Sequence, residues 1–309
     1  MNGRRPRGES TAFKVAISLT PAGVIMGHIR LGDLPRTRKW SQVVGLIEGG
    51  AGTAQIATAT INAAEKGLGI AAEDKGVVET IWLLSKLPLA ARSNDFTRAL
   101  RDCGLSVKDS PGLMEIVGAV TGAIDARMPN CKGRSDLGEM AQMAAAETLA
   151  EVIGTRTRSL FGTTPEDVRQ AFSELATNKQ FSIFAKDFFA RFTNKCMNSF
   201  LSRALSHYVG EGQRFTTLSQ QAEFTKALET HCKEAARIVE EFSGGWFSKK
   251  NWETGGAITR EDSATFTGYA MKKLVDELKQ SKALQKSARN RRIYRWRPVH
   301  QTVPKVHCR

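Results

Sequence analysis

A run of phenylalanines between residues 181 and 200 constrains the fold of this chain more than any other feature. Six of the 15 Phe residues of the chain lie in this run. Most of them are separated by three, four or eight residues, which places their side chains on one face of an α-helix. Aromatic stripes at this spacing belong to protein cores far more often than to cofactor sites. Residues 179–208 are therefore predicted to form the central core helix. The stripe consists of Phe181, Phe184, Phe188, Phe192 and Phe200, with Leu201, Leu205 and Tyr208 continuing it.

Helix start and stop signals recur along the rest of the chain and predict about ten helices with short connections. Thr164-Pro165 begins one of these helices, whereas Pro88 is expected to end another because proline cannot donate a backbone hydrogen bond. Gly244-Gly245 is expected to end a long helix that opens at Ser219. No internal repeat and no break in composition divides residues 11–280, so we expect one mainly α-helical domain.

The N-terminal part of this domain has strand periodicity instead. Residues 13–20 alternate strictly between larger apolar residues and small or polar ones, as in a β-strand. Pro21 and Gly23 supply turn chemistry, and residues 24–31 can return as a second strand. We expect a small hairpin that packs on the helices, because two strands alone are marginally stable.

The positive charge of the chain is concentrated at its two ends. The net charge is +14, of which residues 281–309 contribute +9 and residues 1–10 contribute +2. We treat residues 1–10 and 281–309 as basic tails on a nearly neutral domain. Such tails favour binding to phosphate polyanions or to acidic surfaces. The alternative is that they only keep the protein soluble.

The C-terminal tail also places aromatic residues between its arginines. Arginine contacts phosphates and stacks on bases, and aromatic rings offer faces to bases. This pattern favours binding to DNA or RNA, with an acidic protein partner as the alternative. No sequence-reading motif accompanies it. The residues concerned are Arg289, Arg291, Arg292, Tyr294, Arg295, Trp296 and Arg297.

A second basic cluster, Arg36, Arg38 and Lys39, precedes Trp40. Basic residues beside an aromatic residue are compatible with a nucleic-acid backbone and a stacked base. They are equally compatible with a helix that begins here and buries its tryptophan.

A third group follows Gly244-Gly245 and is predicted to form a loop that docks onto a protein partner. Aromatic and basic residues are common anchors in such interfaces. The group comprises Trp246, Phe247, Lys249, Lys250 and Trp252.

Catalytic and metal-binding patterns are missing from the sequence. The five His residues and five Cys residues are widely scattered, and no nucleophile, base and orienting group occur at a recognisable spacing. The best carboxylate cluster, between Asp136 and Glu151, is interpreted as a salt-bridged or solvated face rather than a magnesium site. We therefore expect no enzyme activity, no cofactor and no metal. Reduced thiols and the lack of a long apolar stretch predict a cytoplasmic protein without a membrane contact.

The sequence thus predicts a non-catalytic helical module that binds nucleic acid non-specifically through its basic tail, within a larger complex. The alternative is a protein-interaction or scaffold subunit of a bacterial assembly, of which antiviral defence is one setting, without nucleic-acid contact.

Overall fold

Helices account for nearly all the regular structure in the described part of this chain. The computed structural model describes residues 37–128, 135–157 and 162–294, with side chains up to residue 280 except Arg203. Within these ranges there are eleven α-helices and no strand, so the mainly α-helical class is confirmed. The predicted hairpin, residues 13–31, lies outside the described residues and has no support. The helices are α1 (Arg38–Glu48), α2 (Thr53–Gly69), α3 (Lys75–Ala91), α4 (Phe96–Asp102), α5 (Leu113–Arg127), α6 (Asp136–Arg156), α7 (Pro165–Glu174), α8 (Asn178–Leu205), α9 (Leu218–Ala235), α10 (Arg237–Thr254) and α11 (Arg260–Tyr294).

The aromatic stripe forms the centre of the core, as predicted. Thr177 caps α8 by accepting a hydrogen bond from the backbone N–H of Gln180 at 3.3 Å. Phe184, Phe188 and Phe192 are fully buried, and Phe189, which lies just off the stripe, is buried as well. Helices α6, α9 and α10 pack around α8. The apolar face of α8 is therefore wide enough to contact several helices at once.

Helix α10 corrects the prediction for residues 244–252. Gly244-Gly245 lies inside the helix and does not end it, and the break in the predicted long helix falls at Ala236 instead. A Cβ atom at Gly244 would overlap the backbone and side-chain oxygens of Asn178, the first residue of α8. Glycine at this position therefore allows α10 and α8 to cross closely, and it does not mark a helix end.

Pro88 also lies inside a helix, although the sequence predicted that it would end one. Helix α3 continues to Ala91, and Leu87, Ala90 and Ala91 are buried. Proline inside a helix costs about 3 kcal/mol. Burial of a single large apolar side chain contributes about 1.5–3 kcal/mol, so packing of this last turn offsets the cost.

A buried carboxylate joins three helices at one end of α11. Glu79 of α3 has a side chain that is 3% exposed. It accepts hydrogen bonds from Arg260 Nε and Nη2 at 2.5 and 2.8 Å, and one from Arg127 Nε at 3.2 Å. The Arg260 guanidinium also lies 3.7 Å from the centre of the Trp82 ring. This group, the Glu79 cluster, ties α3 to α5 and α11.

Helix α11 is longer than the predicted helix, which ended near residue 282. Its buried residues end at Leu278 in the part of the helix with described side chains, where Thr58 of α2 donates a hydrogen bond to the Leu278 carbonyl at 3.3 Å. The backbone continues as helix to Tyr294. The first part of the predicted C-terminal tail is thus a helical continuation of the domain. No helix in the described ranges is both long and apolar enough to cross a membrane.

Candidate nucleic-acid interface

The first turn of α1 carries two of the three residues of the second basic cluster. Arg38 and Lys39 are exposed there, directly after Thr37, which caps the helix through the backbone N–H of Trp40 at 3.2 Å. Arg36 lies outside the described residues. Positive side chains are unfavourable at a helix N-terminus because they oppose the helix dipole. The stability of α1 therefore does not explain why two cations lie at this position.

Trp40 is buried, with 4% of its surface exposed. Its ring packs in the hydrophobic core and offers no face to a base. The interpretation of Trp40 as a stacking residue is therefore wrong, and this tryptophan anchors the start of α1. Only the charges beside it remain accessible.

The fold brings this cluster next to the point where α11 becomes basic. Lys279 of α11 donates a hydrogen bond to Glu65 Oε1 at 2.5 Å, and Lys39 Nζ lies 3.9 Å from Glu65 Oε2. We call Lys39, Glu65 and Lys279 the Glu65 junction. Lys39 and Lys279 are 240 positions apart in the sequence but share one carboxylate. Lys39 of the second basic cluster therefore lies near the residues that immediately precede the basic C-terminal segment.

The Glu65 carboxylate is ionised at neutral pH. The hydrogen bond from Lys279 lowers its pKa most, the charges of Lys279 and Lys39 lower it further, and partial burial opposes them. One negative charge is thus shared by two lysines, beside the exposed Arg38 and Lys66. Asp276 and Glu277 are the last acidic residues of the chain, so every charged residue from Lys279 onwards is basic.

The helical part of the C-terminal segment contains five of its basic residues. Arg295, Trp296 and Arg297 follow the last helical residue, Tyr294, and lie outside the described residues. Met271, Val275 and Leu278 lie on the buried face of α11. When the same helical spacing is continued along the sequence, the next positions are occupied by basic residues. In the sequence, the apolar stripe of α11 therefore gives way to basic residues after Leu278. The five residues are Lys282, Lys286, Arg289, Arg291 and Arg292.

The predicted partner-binding loop is a helix, and two of its aromatic residues belong to the core. Phe247 is 1% exposed and stacks on Phe181 with ring centres 4.0 Å apart. The half-buried Trp246 stacks on Phe266 at 4.2 Å. Phe247 is therefore not accessible to a partner, whereas Trp246 is accessible in part. The helical spacing of the apolar residues from Val239 to Phe247 indicates that the helix continues through this region. The sequence analysis missed it because Gly244-Gly245 resembles a helix end.

The remaining members of this group lie at the surface. Trp252 is 85% exposed. Lys249 is exposed and lies 3.7 Å from Glu253, and Lys250 forms an ion pair with Asp262 at 2.9 Å. Lys250 thus holds α10 to the start of α11, which leaves Trp252 and Lys249 as accessible residues.

One carboxylate of α6 forms ion pairs with α8, in agreement with the salt-bridged interpretation. Glu147 accepts a hydrogen bond from Lys195 at 2.6 Å, and Arg191 lies 3.9 Å from it. Among the described residues, no group of three or more His, Cys, Asp or Glu side chains is arranged to hold a metal ion.

Comparison with known proteins gives no match, whether to a family model, a curated protein or a solved structure. A functional interpretation therefore depends on the residues and contacts of this chain.

Proposed function

We propose that this chain is a non-catalytic module that binds DNA or RNA through the phosphate backbone, without sequence preference. The binding residues are the basic residues of the segment 281–309, together with Arg36, Arg38 and Lys39. Binding of this kind is driven by release of the counterions that surround the nucleic acid.

The observation that carries this proposal is the Glu65 junction. It brings Lys39 and Lys279 to the same carboxylate, at the point from which α11 continues through a stretch without acidic residues. Positive charge from both ends of the domain is thereby gathered in one region. A polyanion needs such a continuous region, since isolated lysines on a neutral surface contribute little.

A salt series with labelled single-stranded and double-stranded DNA and RNA tests the proposal. We expect the full-length protein to bind and to lose about 10³-fold or more in affinity between about 50 and 200 mM salt, if six or more phosphates are contacted. The truncated protein 1–280 should lose this binding. Equal binding by both proteins would show that the C-terminal segment is not the binding element.

A pair of charge variants separates the role of charge from that of chain length. Replacing Arg289, Arg291, Arg292, Arg295 and Arg297 with glutamine should abolish binding, because it removes five charges. Replacing the same residues with lysine should largely retain the salt dependence, because phosphate contacts need positive charge more than a guanidinium. Loss of binding in both variants would point to a requirement other than charge.

Glu65 competes with phosphates for Lys39 and Lys279, and its removal is therefore expected to tighten binding. We expect Glu65→Gln to raise affinity about 5-fold at low salt, as for one additional ion contact of about 1 kcal/mol. The slope of log affinity against log salt should steepen by about 0.9 for each phosphate gained.

Glu261→Gln is the matched control for this variant. Glu261 is exposed in the first turn of α11, about 27 Å along the helix axis from Lys279. It changes the net charge equally but leaves the junction intact. An equal gain in both variants would mean that only the total charge matters.

A second candidate function is favoured by the exposure of Trp252. In this alternative the chain is a subunit of a bacterial assembly and contacts a protein partner through Trp252 and Lys249. Trp252 lies near the start of α11, since Lys250 pairs with Asp262, and Asp262 is about 26 Å along the helix from Lys279. Under this alternative, Trp252→Ser abolishes co-purification with the partner, whereas the truncation at residue 280 leaves it unchanged.

A further inference from the structure

Tyr269 is an exposed aromatic residue on the same helix as the basic C-terminal segment. Among the large apolar side chains exposed in the described ranges, only Tyr269 and Trp252 are aromatic. Tyr269 is 49% exposed and lies ten residues before Lys279, about 15 Å along the axis of α11. The exposed ring and the Glu65 junction are therefore close enough for one nucleic-acid strand to contact both.

The ring of Tyr269 is held in place by the aromatic core. Phe242 of α10 packs against it with ring centres 4.8 Å apart and planes at 82°. Phe242 in turn packs on Phe266 at 5.9 Å, and Trp246 stacks on Phe266. A surface ring supported in this way loses little conformational freedom on binding, which is the condition for an effective stacking platform.

A positive charge lies over the face of this ring, and its flexible side chain moves aside when a base stacks there. Lys273 Nζ is 5.6 Å from the centre of the Tyr269 ring, one helical turn further along α11, and Lys272 next to it is also exposed. A base that stacks on the ring places its phosphate within reach of these flexible lysine side chains. An aromatic ring with adjacent cations is the arrangement that binds single strands without reading their sequence.

We propose that Tyr269 is a base-stacking platform, with Lys272 and Lys273 as its phosphate contacts, and that the ligand is single-stranded nucleic acid. The proposal rests on the proposed function, because the platform lies on the helix that carries the phosphate-binding segment. A duplex gains nothing from this ring, since its bases are already stacked on each other.

The test compares the full-length protein with its Tyr269→Ala and Tyr269→Phe variants. The ligands are an oligothymidylate of about 20 nucleotides, an abasic strand of the same length and a duplex of the same length. Tyr269→Ala should weaken binding to oligothymidylate about 5- to 150-fold, as expected for loss of one stacked base. It should leave binding to the abasic strand and the duplex unchanged, and Tyr269→Phe should bind all ligands like the wild type.

Trp252→Ala is the control for loss of an exposed aromatic residue on another helix, α10, and it should bind like the wild type. If Tyr269→Ala binds oligothymidylate normally, or weakens binding to the abasic strand equally, the stacking platform is refuted while the phosphate-binding function stands. If the wild-type protein binds none of these ligands and none of the RNA ligands of the salt series, the proposed function itself fails.

Discussion

Replacing Arg260 with methionine is expected to lower the free energy of unfolding by about 3–5 kcal/mol. Glu79 is buried, and Arg260 supplies two of its three hydrogen bonds as well as the stacking contact with Trp82. Without Arg260, the Glu79 carboxylate remains in the interior. Among the described residues, the ion pair that it keeps is the longer contact with Arg127. An incompletely paired buried charge is among the most destabilising defects in a protein.

Urea denaturation followed by circular dichroism measures this loss, and a second substitution identifies its cause. Adding Glu79→Gln to Arg260→Met removes the buried charge and should recover a substantial part of the lost stability. Arg98→Met, at an exposed position of α4, should change the free energy of unfolding by no more than about 0.5 kcal/mol. If Glu79→Gln recovers nothing, loss of the Trp82 contact, rather than the buried charge, determines the stability of this region.

Gly244→Ala is expected to destabilise the protein by about 3 kcal/mol, the upper end of the usual range for overpacking. The new methyl group would overlap both oxygens of Asn178 and lie 2.9 Å from its carbonyl carbon. Asn178 begins α8, whose buried phenylalanines hold it in place, so the backbone cannot easily move away. The crossing of α10 over α8 would have to open.

Gly245→Ala provides a matched control in the same helix. A Cβ atom at Gly245 meets no heavy atom within 4 Å, and alanine favours a helix over glycine by about 0.8–1.0 kcal/mol. This variant should therefore be slightly more stable than the wild type in the same thermal or urea melt. A similar loss in both variants would contradict the close approach as the cause.

Local signals in the sequence predicted much of this fold. Ser135 caps α6 through the backbone N–H of Gly138 at 2.9 Å, and Thr164 forms a capping box with Asp167 at the start of α7. The start at Thr164 was predicted because the capping residue and its partner lie within four positions of each other. The buried face of α8 was predicted for the same reason, since its periodicity is local.

Features that depend on distant residues were not predicted. Gly244-Gly245 resembles a helix end because the sequence does not reveal that Asn178 lies against it. The Glu65 junction joins positions 39, 65 and 279, and no periodic pattern links residues so far apart. The nucleic-acid role of the C-terminal segment remains a prediction, as does the hairpin proposed for residues 13–31.

Because α11 continues as one helix to Tyr294, it would fix how the domain is oriented on a bound nucleic-acid strand. A helix is a stiff connection, unlike a glycine- or serine-rich linker. A strand bound along residues 282–292 would be held at a set angle to the domain, since the same helix is anchored in the core through Leu278. The angle between the domain and the bound strand would then be determined by the helix and not by a flexible linker.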